Sequence, residues 1–84
     1  LTDGAACVLL ASQESCAQNN WKPLAQLKDV EVAALDYVAG EGLLMAPTIA
    51  VSNLLARNNL KLQDFDYYEI HEAFAGQVLC TLKA

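Results

Sequence analysis

Positive charge is scarce in this 84-residue chain. Five basic residues stand against ten acidic ones, for a formal charge of −5. The five (Lys22, Lys28, Arg57, Lys61 and Lys83) are scattered along the sequence. That excludes a nucleic-acid-binding face, which needs basic residues gathered on one surface; a local site for an anionic ligand stays open. Histidine occurs once, so a metal site built on a pair of imidazoles is excluded. The three cysteines, Cys7, Cys16 and Cys80, are an odd number with no C-x-x-C spacing. This argues against a disulfide framework or a zinc site and for reduced thiols, buried or half-buried. No run reaches the roughly 18–20 apolar residues that cross a bilayer, and no basic leader is followed by an apolar block. Internal repeats and low-complexity tracts are also lacking.

What the chain has in quantity is apolar side chains, 55% of its residues. A chain this short buries only about 60–65% of its unfolded surface when it folds alone, so it is marginal as a solitary core. So much Ala, Leu and Val is expected of a slab from a larger core. The sequence starts at Leu1 and stops inside an apolar pattern at Leu82-Lys83-Ala84; both ends read as cut.

The order of elements follows from patterning. Ala5–Ala11 is an unbroken apolar run after Thr2-Asp3-Gly4, which predicts a short strand covered on both faces. Ser12 is placed to cap a short helix with Glu14 in its first turn, ending near Asn19-Asn20. Pro23 turns Lys22 away from helical angles. From Leu24 to Leu35 apolar and polar residues alternate: Ala25 and Leu27, then, after a slip at Asp29, Val30 and Val32. One long strand bent by a β-bulge is expected there. Asp36–Ala46, with Gly40 and Gly42, reads as a loop. Pro47 suits the first position of a helix whose apolar face is Ala50, Val51, Leu54 and Leu55, with Asn58-Asn59 closing it. Leu62–Phe65 is a turn, Tyr67–Ile70 a brief strand, and Phe74, Val78 and Leu82 have helical spacing. Alternating strands and helices predict an α/β fold, a sheet with helices packed on it.

Between the last strand and the last helix lies His71-Glu72-Ala73-Phe74-Ala75-Gly76-Gln77. Ligands of α/β sheets collect where strands end and helices begin. The free N–H groups of a first helical turn favour negative charge, and an imidazole there can donate to an oxygen that becomes anionic. The same pair has a purely structural role: Glu72 satisfying orphan N–H groups and His71 capping or packing. Spacing alone does not name a reaction.

Four segments in order are similar to the thiolase family. They are Leu1-Thr2-Asp3-Gly4-Ala5-Ala6 before an apolar strand, Ala46-Pro47 before an amphipathic helix, Leu60–Asp66 leading into Tyr67-Tyr68-Glu69-Ile70, and His71-Glu72-Ala73-Phe74-Ala75. The last resembles the family's signature block. Many thiolases carry Asn where His71 stands, and the His form resembles the thiolase subunits of fatty-acid β-oxidation complexes. The resemblance implies a piece of the five-layered α-β-α-β-α thiolase fold. Residues 1–22 would end its N-terminal half and residues 23–84 begin its C-terminal half.

The resemblance further implies an acyltransferase, an acetyl-CoA acyltransferase or 3-ketoacyl-CoA thiolase. It cleaves 3-oxoacyl-CoA with CoA to acyl-CoA and acetyl-CoA through a cysteine-bound acyl intermediate. Coenzyme A is a substrate, and no cofactor is implied. His71 would build part of the oxyanion hole, Glu72 would support it, and Phe74 and Met45 would line the substrate channel. The family's nucleophilic cysteine lies before this segment, and its catalytic histidine and second cysteine lie after it. Cys7, Cys16 and Cys80 match none of those positions, so the 84 residues alone are expected to be inactive. Expected partners are acyl-CoA and CoA, further copies in a dimer or tetramer, and a hydratase/dehydrogenase subunit. The location implied is cytoplasmic in a bacterium, mitochondrial or peroxisomal in a eukaryote. A biosynthetic acetoacetyl-CoA thiolase and an inactive thiolase-like protein that binds lipid-CoA or a partner are the alternatives. Two residues depart from the family: Ala46 stands where Gly is usual, and Gly76 where Ala is frequent. Gly76, inside a helix, is expected to allow close packing against a backbone.

Overall fold

The structure is a computed structural model that describes residues 3–40 and 42–84. Leu1 and Thr2 of the opening family-like segment, and Glu41 of the central loop, lie outside the described residues.

Ser12 has extended backbone, and its hydroxyl accepts a hydrogen bond from the Ser15 N–H at 3.1 Å. This satisfies one of the orphan donors of α1 (Gln13–Gln18) and fixes where the helix starts. The Glu14 backbone N–H and the Ser12 hydroxyl hold the Glu14 carboxyl below its usual range. At the other end Asn20 takes the left-handed conformation, φ 54°, and the Trp21 N–H reaches back to the Cys16 carbonyl at 2.9 Å. The second helix, α2 (Ala46–Asn58), stops in the same way. Asn59 is left-handed at φ 52°, ψ 43°, and the Leu60 N–H bonds to the Leu55 carbonyl at 2.9 Å. Each Asn-Asn pair thus supplies one residue that tolerates left-handed angles and closes a Schellman turn. Pro47 sits second in α2, after Ala46, one place later than its spacing suggests. A 3-10 turn follows at Leu62–Asp64, packed by Phe65 against Tyr68, with ring centroids 5.8 Å apart. The Tyr68 hydroxyl donates to the Leu62 carbonyl. The last helix is α3 (Ala75–Lys83).

Extended segments connect these helices, and among the described residues none is paired into a strand. The expected sheet, with its bulge, therefore has no ladder here. The reason differs along the chain. Ala5–Ala11 is exposed throughout: Val8, Leu9 and Leu10 are 74–81% exposed. Residues 29–35 instead keep a strict period of two. Asp29, Glu31, Ala33 and Leu35 are half-buried, while Val30, Val32 and Ala34 between them are exposed. That is the burial pattern of a strand with one face covered. The covering element is α2, because Glu31, Val32 and Ala33 share a shallow groove with Ala46, Pro47 and Ala50. A strand is completed by a neighbouring backbone, and no described segment supplies one.

The area balance agrees. The accessible surface is 8045 Å², against about 4,900 Å² for a folded monomer of this mass. The radius of gyration is 16.7 Å, against about 12 Å for a compact domain of this length. No described side chain is fully buried. Cys16 is half-buried as expected of a packing thiol, but Cys7 and Cys80 are exposed, because the apolar runs that hold them lack cover. Gly76 departs from expectation too: a Cβ added there would meet nothing within 4 Å, so no described backbone packs on it.

Candidate functional site

The loop before α2 is shaped by two carbonyl- and carboxylate-centred turns. The Asp36 carboxylate accepts from the Val38 N–H at 2.9 Å and the Ala39 N–H at 3.1 Å, and these two amides hold its pKa below the usual range. The Gly40 N–H bonds to the Asp36 carbonyl at 2.7 Å. A side chain at Gly40 would collide with that same carbonyl oxygen, so glycine is required sterically. Gly42 has φ +120°, a conformation that L side chains rarely adopt. The chain then enters α2 through Met45, whose carbonyl accepts from both the N–H and the hydroxyl of Thr48, at 3.1 and 2.7 Å.

The second part of the site precedes α3. Ile70 is half-buried, whereas His71, Glu72, Ala73 and Phe74 are exposed. Phe74 is extended, with φ −144° and ψ 136°, and occupies the cap position of α3, where no side chain bonds to the free N–H groups. Neither His71 nor Glu72 caps the helix, which corrects the structural role open to them from spacing. The helix starts at Ala75, too far along for Glu72 to sit in its first turn. His71 and Glu72 therefore lie exposed just ahead of an open helix N-terminus.

These two parts meet through Gln77. Its side-chain amide donates to the Thr81 hydroxyl at 3.0 Å and to the Leu44 carbonyl at 3.5 Å. A carbonyl only accepts, so the amide nitrogen must face it. Leu44, Met45, Gln77, Val78 and Thr81 are all half-buried. The structure thus brings the Met45 loop onto α3, one turn from Phe74. The half-buried face of α3 is Gln77, Val78 and Thr81, not the Phe74–Val78–Leu82 stripe read from spacing; Phe74 and Leu82 are 67% and 68% exposed.

A charged cluster lies at the other end of α2. The Arg57 guanidinium donates to one Asp29 carboxylate oxygen through Nε at 3.0 Å and a terminal nitrogen at 2.8 Å, to the Val30 carbonyl at 3.0 Å, and to Glu31. The Asn58 amide donates to the same Asp29 oxygen at 2.5 Å. Asn58 and then Arg57 hold the Asp29 carboxyl below its usual range, and Asp29 and Glu31 raise the Arg57 pKa. The cluster clamps residues 29–31 to the C-terminus of α2. Sequence reasoning missed it, although one signal was present: two carboxylates spaced by two share a face of an extended segment. Gln77 was passed over as well, and its signal was Thr81 four residues on, one helical turn away. Among the described residues no group of three His, Cys, Asp or Glu side chains can hold a metal, and no helix is long and apolar enough to cross a membrane.

Residues 21–84 match the family model described as the thiolase C-terminal domain. The chain belongs to the thiolase family. All of it aligns, at 44% identity, with 18% of a probable 3-ketoacyl-CoA thiolase of Caenorhabditis elegans. It is 40% identical to the mitochondrial trifunctional enzyme subunit beta of Bos taurus over 84 residues, 100% of this chain and 17% of that protein. Identity is 37% to the 3-ketoacyl-CoA thiolase of Colwellia psychrerythraea, over 99% of this chain and 19% of the relative. This thiolase segment therefore spans less than a fifth of the length of the curated relatives it matches. Membership implies the thiolase-like fold.

Proposed function

We propose that this segment belongs to a thiolase of fatty-acid β-oxidation, an acyltransferase that cleaves 3-oxoacyl-CoA with CoA to acyl-CoA and acetyl-CoA. The supporting observation is the His71-Glu72-Ala73-Phe74 block, exposed directly before the uncapped start of α3. When a thiolate adds to a thioester carbonyl, the carbonyl oxygen becomes anionic. An imidazole N–H of His71 donates to it and stabilises that charge as it develops. Glu72 supports the orientation of His71, and Phe74 and Met45 line the acyl channel. The nucleophilic cysteine and the acid/base histidine and cysteine are supplied by parts of the thiolase outside these 84 residues.

In the complete fold, residues 5–11, 24–35 and 67–70 are strands within an α-β-α-β-α layering. The period-two burial of residues 29–35 on α2 supports this. Residues 1–22 end the N-terminal half and residues 23–84 begin the C-terminal half; the family match from residue 21 supports a seam there. The protein works as a homodimer or tetramer and associates with a hydratase/dehydrogenase subunit; the word subunit in the names of the trifunctional enzyme relatives supports association within a larger complex. Mitochondrial names among the relatives favour that compartment in a eukaryote, and a bacterial protein would be cytoplasmic. Assaying the full-length protein with CoA and either four-carbon or long-chain 3-oxoacyl-CoA tests the reading. Thiolysis with a higher kcat/KM for the long chain is expected; preference for the four-carbon substrate, or no turnover, overturns it.

A further inference from the structure

From the hydrogen bonds around Met45 we infer that Gln77 is a positioning residue that sets acyl-chain selectivity by fixing the Met45 loop against α3. The inference rests on the thiolase reading above. Met45 is held at both of its peptide groups. Its own carbonyl accepts two hydrogen bonds from Thr48, which ties it to α2. The carbonyl before it, that of Leu44, accepts from Gln77, which ties it to α3. Thr81 takes the other amide hydrogen of Gln77 at 3.0 Å and thereby aims the first at Leu44. The loop needs such an anchor. It follows Gly42 at φ +120°, and the separation of 33 positions from Leu44 to Gln77 makes this a long-range tie. Gln77 lies on the half-buried side of α3, while the block that would meet the thioester, His71–Phe74, is exposed ahead of the same helix. Gln77 therefore adjusts the distance between the Met45 wall and the reacting end without touching the thioester.

Loss of one amide–carbonyl hydrogen bond corresponds to about a threefold to tenfold change in an equilibrium constant. In the full-length enzyme, Gln77→Met keeps the side-chain volume and removes both donors, and Thr81→Val removes the group that aims the amide. Steady-state kinetics are compared for long-chain and four-carbon 3-oxoacyl-CoA. The expected result is a KM for the long-chain substrate raised about threefold to tenfold in Gln77→Met and less in Thr81→Val. For both variants kcat and the four-carbon KM stay within about twofold. Met45→Ala should raise the long-chain KM at least as far, and combining it with Gln77→Met should add little to that KM, because both act through one contact. Equal loss on both chain lengths, a fall in kcat alone, no change in either variant, or additive effects of Met45→Ala and Gln77→Met overturn the inference. Absence of thiolysis in the unaltered enzyme would instead count against the thiolase reading itself.

Discussion

Two polar stretches of the chain, Asp29–Glu31 and His71–Glu72, have similar residue types and opposite surroundings. Asp29 and Glu31 meet Arg57 and Asn58 across 26–29 residues of sequence, in ion pairs and hydrogen bonds that also engage the Val30 carbonyl. His71 and Glu72 are exposed and leave the adjacent helix uncapped. In the first stretch the carboxylates are consumed by architecture: they hold an extended segment along α2. In the second, polar groups and free helix N–H donors remain available to a ligand. The difference separates polar groups already engaged within the fold from polar groups left open to a ligand, which composition does not reveal.

The largest effect expected from this difference is on turnover. His71→Ala in the full-length protein should lower kcat about 10²–10³-fold, the usual cost of one oxyanion donor, with KM little changed. A kcat within twofold of the unaltered enzyme would break the comparison, placing His71 with the structural residues.

A smaller effect concerns the clamp. The Asp29 pKa is lowered in the fold, so the clamp's contribution is present above the unfolded carboxylate value of about 3.9. It is lost as pH falls through the lowered folded value. Denaturation midpoints followed from pH 7 to below 4 should therefore fall less in Asp29→Asn than in the unaltered protein. Parallel curves would show that Asp29 does not contribute through its charge. Exposure of the Arg57 side chain, at 48%, keeps the expected effect modest because water screens the pair.

The smallest effect sharpens the second stretch. Gly76→Ala should stabilise α3 by about 0.5–1 kcal/mol, since open space surrounds a Cβ there. Destabilisation in the full-length protein would show that another part of the thiolase packs closely on that surface.

How much was legible in the sequence depended on how local the cause is. Ser12 and the two Asn-Asn pairs marked helix ends correctly, because a cap is made within one turn of the residue that causes it. The strands were a different matter. Ala5–Ala11 and residues 24–35 carry strand patterns, yet a strand is completed by a partner backbone, and among the described residues none is adjacent. Only residues 29–35, which have α2 beside them, show the period of two in burial. The His71–Phe74 block was legible as a candidate because of its place before a helix and its likeness to the thiolase signature. The Gln77–Leu44 tie and the Arg57 clamp were not, because each joins positions far apart in the chain that only folding brings together. The alternative of Glu72 serving the helix start is ruled out for a local reason: α3 starts at Ala75.

The separation of the two stretches is tested most directly by measuring thermal unfolding and thiolysis kcat on the same two full-length variants, His71→Ala and Arg57→Ala. A crossed result is expected: His71→Ala keeps its melting temperature and loses turnover, whereas Arg57→Ala melts lower and keeps kcat within about twofold. Proportional loss of stability and turnover in both variants would contradict it.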